Sequence, residues 1–330
     1  MALAEAQPNP PPTPRGEGQA GLELSVAICA HDPRRHFLER VLGGLKEQSL
    51  DTARWELLLI DNASKEPLRS LYDLSWHPQA RYVLLEQLGI AVARQRALQE
   101  ARGAFTIFVD DDNVLDRNYL AEALRIAEEW PQLGVWGGST EPEFEVPPPD
   151  RLKNYLAVLA LRTVDRARWS NVATCSDAEP WGAGMCIRSS VAAAYCAAFD
   201  ASPIRLGRRA GISMIPGEDT EMCVIACNLG LGMGIFPELR LMHLVPQERV
   251  SEDYILRATE GIQTGILMIE YKWRGTVPKS LLAPKALLLN IAKLLTKRGM
   301  ERKMLLVSMR ARSKARAAIA AAYALPSDGG

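Results

Sequence analysis

No two cysteines in this 330-residue chain are spaced as C-x-x-C, although there are six: Cys29, Cys175, Cys186, Cys196, Cys223 and Cys227. Most lie in apolar runs, so they read as buried thiols of a reducing compartment rather than a zinc or disulfide framework. No apolar run approaches the length of a membrane-spanning helix. The opening residues, MALAEAQPNPPPTPRGEG, contain no apolar core of a secretion signal. The expectation is a cytoplasmic catalytic part, at most peripheral on the cytoplasmic face of a membrane. A G-x-x-x-x-G-K-[ST] loop is missing, which argues against P-loop hydrolysis, and so is a G-x-S-x-G nucleophile elbow. The spaced glycines of GLGMG at 230–234 follow a helical pattern and precede a strand, the reverse of the order a dinucleotide fingerprint requires.

What is present begins with apolar residues, 48% of the chain, enough for a sizeable core. The formal net charge is zero, but it hides an asymmetry. Residues 272–316 hold thirteen Lys or Arg against one acid, Glu301, so the rest of the chain is acidic by about the same margin. Apolar residues interleave these basic ones, and aromatics suited to base stacking are scarce there. The segment therefore predicts an anionic membrane surface as partner and no nucleic acid. Leu287, Leu288, Ile291, Leu294 and Leu295 can form one apolar stripe, with Lys293 and Lys297 elsewhere on the helix. The competing reading packs that stripe on the catalytic domain or a second subunit.

Residues 1–20 are rich in proline and glycine and predict a disordered tail. From Leu22 onward, short apolar runs alternate with helical periodicity. Strands are predicted at Leu24–Ala30, 55–60, 82–85 and Phe105–Val109. Helices are predicted at 36–48, Leu68–Leu74, 90–101 and 119–130. This alternation predicts an α/β domain with a mostly parallel central sheet over residues 21–250. A Pro-rich connection at 142–149, a helix at 155–161, a glycine-bearing loop at 181–188 and a helix from Gly217 follow. Residues 235–243 read as mixed loop and strand. The stretch 251–330 predicts a helical extension, with helices at 252–271, 287–295 and 303–309 and Gly299 separating the last two.

Ligands of such sheets bind outside the carboxyl ends of the strands, where Asp61 and Asp110-Asp111-Asp112 fall. Residues two apart in an extended strand end face the same way, so Asp110 and Asp112 can converge. Paired carboxylates without cysteine suit a hard cation, Mg²⁺ or Mn²⁺, which can bridge a diphosphate. The plain alternative is an acidic loop that caps the next helix. Asp61, ending WELLLID, can accept the N3–H of a pyrimidine base or simply cap the following turn. Glu218 and Asp219 open a helix, where acids are common because of the helix dipole. An aspartate held there can also take a proton from an attacking hydroxyl. His243 sits among apolar neighbours, as a core histidine or as a third metal ligand. Two of the other histidines, His36 and His77, read as surface residues.

Taken in order, these motifs resemble glycosyltransferase family 2, inverting enzymes of GT-A fold. The likeness covers about residues 22–245 and rests on LSVAICAHDPRRHFLERVLGGLKEQ, WELLLIDNAS, GIAVARQRALQEARGAFTIFVDDDN, WGAGMCIRS and GEDTEMC. The resemblance implies that His31 flanks the base, Asp32 takes the neighbouring polar position and Asp61 holds the base. It further implies that Arg94 faces the donor and that Asp112 binds the metal, with Asp110 or Asp111 near ribose and metal. Asp219 is implied as general base, with Glu218 the competing choice, and His243 as completing the metal site. Here Ala30-His31-Asp32 replaces T-Y-N and Gln95 replaces the usual asparagine, so the donor is left as a UDP-, dTDP- or GDP-linked sugar. The Q-x-x-R-W motif of processive members is absent, which implies single-sugar transfer to a glycan or lipid-linked acceptor, such as a polysaccharide precursor. Two rivals stand beside this reading. A sugar nucleotidyltransferase would need glycines that CAHDPRRH lacks, and a non-catalytic scaffold would have little reason to keep Asp61, Asp112 and Asp219 together.

Overall fold

The computed structural model describes residues 22–173, 176–204, 206, 209–210, 213–279 and 284–323. The expected disorder of 1–20, and Cys175, lie outside the described residues. The first half alternates as the apolar runs require: β1 (Leu24–Ala30), α1 (Arg35–Lys46), β2 (Trp55–Asn62), α2 (Leu68–Leu71), β3 (Ala80–Leu85), α3 (Ile90–Glu100) and β4 (Phe105–Val109). β1 pairs in parallel with β2 and β4, and β2 with β3. Successive residues of β1 serve opposite faces. Val26 and Ile28 pack with Leu38 and Val41 of α1, whereas Ala27 and Cys29 pack with Ala93 and Ala97 of α3. A strand buried on both faces is mostly apolar, its few polar residues paired like Ser25 with Glu56, which is why these runs were legible.

After β4 the chain makes a three-residue β5 (Asn113–Leu115), α4 (Tyr119–Glu129) and β6 (Leu133–Phe144). Then come β7 (Arg168–Ser170), β8 (Cys186–Arg188), α5 (Ser189–Ala201), a small hairpin of β9 (Arg209–Ala210) and β10 (Ser213–Met214), α6 (Glu218–Asn228) and β11 (Gly232–Val245). The large sheet runs β3-β2-β1-β4-β8-β6-β11-β5, with β7 also on β11. β8 lies antiparallel between β4 and β6, β6 and β11 are parallel, and β5 and β7 run antiparallel to β11. This mainly parallel sheet with helices on both faces is the GT-A architecture. Helices α7 (Glu252–Arg274), α8 (Pro284–Thr296) and α9 (Gly299–Tyr323) form the C-terminal helical region.

Several elements depart from expectation. α5 was not anticipated because Ser189–Ala201 is rich in alanine and shows little one-sided apolar character. β11 is one long strand where mixed loop and strand were expected, with its register on β6 shifting between Ile235 and Arg240. Residues Asp150–Leu159 form a 3₁₀ helix, earlier than the helix expected at 155–161. α9 is far longer than 303–309 and starts at Gly299 itself. His77 is not a surface residue: it is 3% exposed, its ring 4.1 Å from that of Trp55. Cys29, Cys186 and Cys223 are buried free thiols, as expected; Cys196 and Cys227 are only partly buried.

Candidate active site

The loops leaving β1 and β2 are stitched together. His31 donates from Nδ1 to the carbonyl of Asn62 at 2.9 Å. Asp32, with φ +45°, accepts the Lys65 amide at 2.8 Å, and that bond holds its carboxyl below the usual carboxylate range. Asp61 is buried, and its two oxygens accept the amides of Ser64 (3.0 Å) and Leu68 (2.9 Å), so it caps the turn into α2. Each of those oxygens keeps a second lone pair for a further donor. The capping reading of Asp61 is thus fulfilled, with no conflict with a role toward a base.

The acids after β4 meet those opening α6 through Arg94. Its guanidinium is buried over the Phe108 ring and bridges Asp110 and Glu218, 3.0 Å from each. Two loops 108 residues apart, 110 to 218, are thereby tied together. Arg94 was expected to face the donor; its guanidinium is paired with these two carboxylates. Gly182 permits the packing, because a Cβ there would lie 2.6 Å from an Arg94 nitrogen. Its amide also donates to Asp219 at 3.1 Å. α6 starts from Gly217, whose φ of +137° suits glycine alone. Glu218 is buried and paired, with burial pushing its carboxyl up against the pull of Arg94. Asp219 is partly open to solvent and, among the described residues, accepts the backbone amides of Gly182 and Thr220. Glu218 is thus engaged by a cation, while Asp219 is the more exposed of the two. Behind it Glu179, raised by burial and by the Asp219 charge, accepts the Thr220 hydroxyl.

His243 reaches the triplet through the antiparallel pairing of β5 with β11, which sets His243 opposite Asn113. The Leu244 amide also donates to the Asp112 carbonyl at 2.8 Å. Asp112 Oδ2 and His243 Nε2 lie 3.6 Å apart, and Arg249 bridges them, 2.8 Å from the oxygen and 2.9 Å from the nitrogen. A guanidinium can only donate, so Nε2 is the accepting nitrogen and the proton sits on Nδ1. That Nδ1 is buried without a hydrogen-bond partner among the described residues. Burial opposes ionisation of Asp112, but the Arg249 charge beside it helps keep its pKa below the ordinary value. Asp111 is pushed up to about 7 by burial and by the charges of Asp112 and Asp110. A carboxylate and a neutral imidazole nitrogen sharing one cation, beside an excess of negative charge, fit a divalent ion. The expected trio is not assembled, however: Asp110 turns to Arg94, and among the described residues no three His, Cys, Asp or Glu groups converge as a metal site.

Residues 25–185 match the family model for Glycosyl transferase family 2. This segment is a family 2 glycosyltransferase domain. Two curated relatives share 29% identity with it. They are the uncharacterized protein y4gI of Sinorhizobium fredii, over 36% of this chain and 13% of the relative, and the uncharacterized glycosyltransferase YfnE of Bacillus subtilis, over 35% and 30%. The chain thus spans well under two thirds of either relative. Among solved structures, S. aureus TarS 1–349 in complex with UDP-GlcNAc superposes with a TM-score of 0.52 at 13% identity, over 90% of this chain and 91% of that one. The same protein in complex with UDP gives 0.50 at 14% identity. At such identity the likeness speaks for the fold alone. The family 2 domain contains the β1, β2 and β4 loops, whereas Glu218, Asp219, His243 and Arg249 come from beyond it. Arg249 was missed from the sequence: it lies past the last recognised motif, and only the turn after β11 carries it back.

Proposed function

We propose that this chain transfers a single sugar, with inversion, from a nucleotide-diphosphate donor to an acceptor hydroxyl. The observation that carries this reading is the Arg94 bridge, which ties Asp110 after β4 to Glu218 at the opening of α6. His31, Asp32 and Asp61 line the base end, and the family likeness together with UDP on the TarS neighbour supports a uridine donor. Asp112 and His243 would hold Mg²⁺ or Mn²⁺, which would neutralise the leaving diphosphate. Asp219 would take the proton from the acceptor hydroxyl, whose oxygen attacks the anomeric carbon opposite the departing nucleotide. A glycan or lipid-linked precursor is the acceptor, brought by an anionic membrane surface that binds within 272–316. The chain then works on the cytoplasmic face.

A donor panel of UDP-, dTDP- and GDP-sugars with Mn²⁺, read by mass spectrometry, tests the reaction. Turnover is expected, and Asp219→Asn should lower kcat by about 10²–10⁴-fold while leaving donor affinity near wild type. Equal turnover by that variant, or loss only in Glu218→Gln, overturns the assignment of the base. Donor binding without any turnover overturns the enzyme reading, and transfer unchanged by EDTA overturns the metal role.

A further inference from the structure

Arg249 stands where a cation of the donor site belongs. It donates to the same carboxylate oxygen of Asp112 and the same nitrogen of His243 that a divalent ion would use. A metal ion and a guanidinium cannot both approach Asp112 Oδ2 closely, because their charges repel.

The backbone of Arg249 is anchored, while its side chain is the most exposed of the three groups. It sits in a one-turn 3₁₀ segment, Gln247–Val250. The Gln247 amide donates to Glu145 at 3.0 Å. Arg34, at the start of α1, pairs with both Glu145 (2.7 Å) and Glu248 (2.6 Å). Val250 is buried with Leu159 and Val245. The side chain of Arg249 is 32% exposed, against 8% for those of Asp112 and His243. It therefore closes the pair from the solvent side and has a way out, but it stays tethered beside the site. A forked guanidinium released there suits phosphate oxygens.

We propose that Arg249 is a tethered counter-cation of the donor site. It neutralises Asp112 while no metal is bound, competes with a divalent ion for Asp112 and His243, and once displaced serves the donor diphosphate. The proposal rests on the metal-dependent reading above. Its distinctive consequence is a pair of effects of opposite sign from one substitution, which loss of structure would not give.

The test compares the full chain with Arg249→Gln, each first shown to melt cooperatively. Mn²⁺ binding without nucleotide is followed by the loss of the free-ion electron paramagnetic resonance signal. UDP binding at saturating Mn²⁺ is followed by calorimetry. The variant is expected to bind Mn²⁺ about tenfold tighter, equivalent to roughly 1.4 kcal/mol, and UDP about tenfold weaker. If it does not fold, Arg249→Lys is measured in its place. A single ammonium cannot fork between Asp112 and His243, so the shifts keep the same directions. Mn²⁺ binding equal to or weaker than wild type, or unchanged UDP affinity, overturns the proposal while leaving the metal reading intact. If neither protein binds Mn²⁺ and EDTA leaves transfer unchanged, the metal reading falls and the proposal with it.

Discussion

His77 shows at the scale of one residue how burial changes chemistry. Its Nδ1 accepts the Gln79 amide at 3.1 Å, so the proton sits on Nε2, which is buried without a hydrogen-bond partner among the described residues, and the ring lies against that of Trp55. Burial lowers its pKa from 6.5 to about 4. Between those values the unfolded chain binds a proton that the folded chain refuses. The contribution to stability is therefore complete above pH 6.5 and is lost as the pH falls through about 4. It amounts to something on the order of 3 kcal/mol. Denaturant titrations at pH 7 and 4.5 should show His77→Phe losing less stability on acidification than wild type. Equal losses would mean that the ring is not held neutral. The sequence offered a histidine beside a tryptophan and a proline, which reads as a surface turn; burial came from α2 and β3 folding over Trp55. Asp61 and Asp219 were legible because they sit at element ends. Arg94 was legible as a residue but not in its partners, because a guanidinium follows whichever carboxylates the fold brings within reach.

At the scale of elements, the basic stretch 272–316 divides between two helices. In α9, Arg310 (2.8 Å) and Lys314 pair with Glu260 of α7, and Lys303 pairs with Glu252. These charges are engaged within the protein. α8 is different: Leu288 and Leu295 are 69% and 80% exposed, Leu289 and Ile291 are exposed beside them, and Lys293 flanks the patch. Leu294, expected in the same stripe, is half-buried, and the side chain of Leu287 lies outside the described residues. An exposed apolar face edged by lysine suits an anionic bilayer surface. The full chain should co-sediment with vesicles containing phosphatidylglycerol, less so in 0.5 M salt, and the Leu288→Ser/Leu295→Ser double variant should remain in the supernatant. Equal sedimentation of the two proteins would sink this reading. The strands missed from the sequence have physical reasons. β5 is three residues long, and β6 opens with Gly134, Trp136, Gly137 and Gly138 and ends in polar residues, so neither shows the periodicity of a half-buried strand.

For the whole molecule, α9 belongs to the same body as the catalytic sheet. Ala315 and Ile319 bury against Met268 and Ile269 of α7, Val224 of α6 and Leu206. Val307 and Ala311 are fully buried. Removing 299–323 would bare this apolar surface and leave Glu260 without its cations. The truncated chain should melt well below the full one or fail to remain soluble, whereas the α8 double variant should melt within a few degrees of wild type. Matching melting curves for the truncated and full chains would show that α9 is dispensable to the fold. No helix among the described residues is long and apolar enough to cross a membrane.

The sequence by itself determined the alternating α/β layout and the place of Asp61 and Asp110–Asp112 at strand ends. It did so because strands buried on both faces are mostly apolar and chain direction then fixes which residues meet the rim. It also marked Glu218-Asp219 at a helix start through the glycine before them. Only the tertiary structure decided how these groups share charge. Arg94 joins Asp110 to Glu218, and Arg249 stands between Asp112 and His243. Those pairings depend on β11 returning beside β5 and on the start of α6 coming within reach of Arg94 on α3, contacts between residues more than a hundred positions apart that no local pattern encodes.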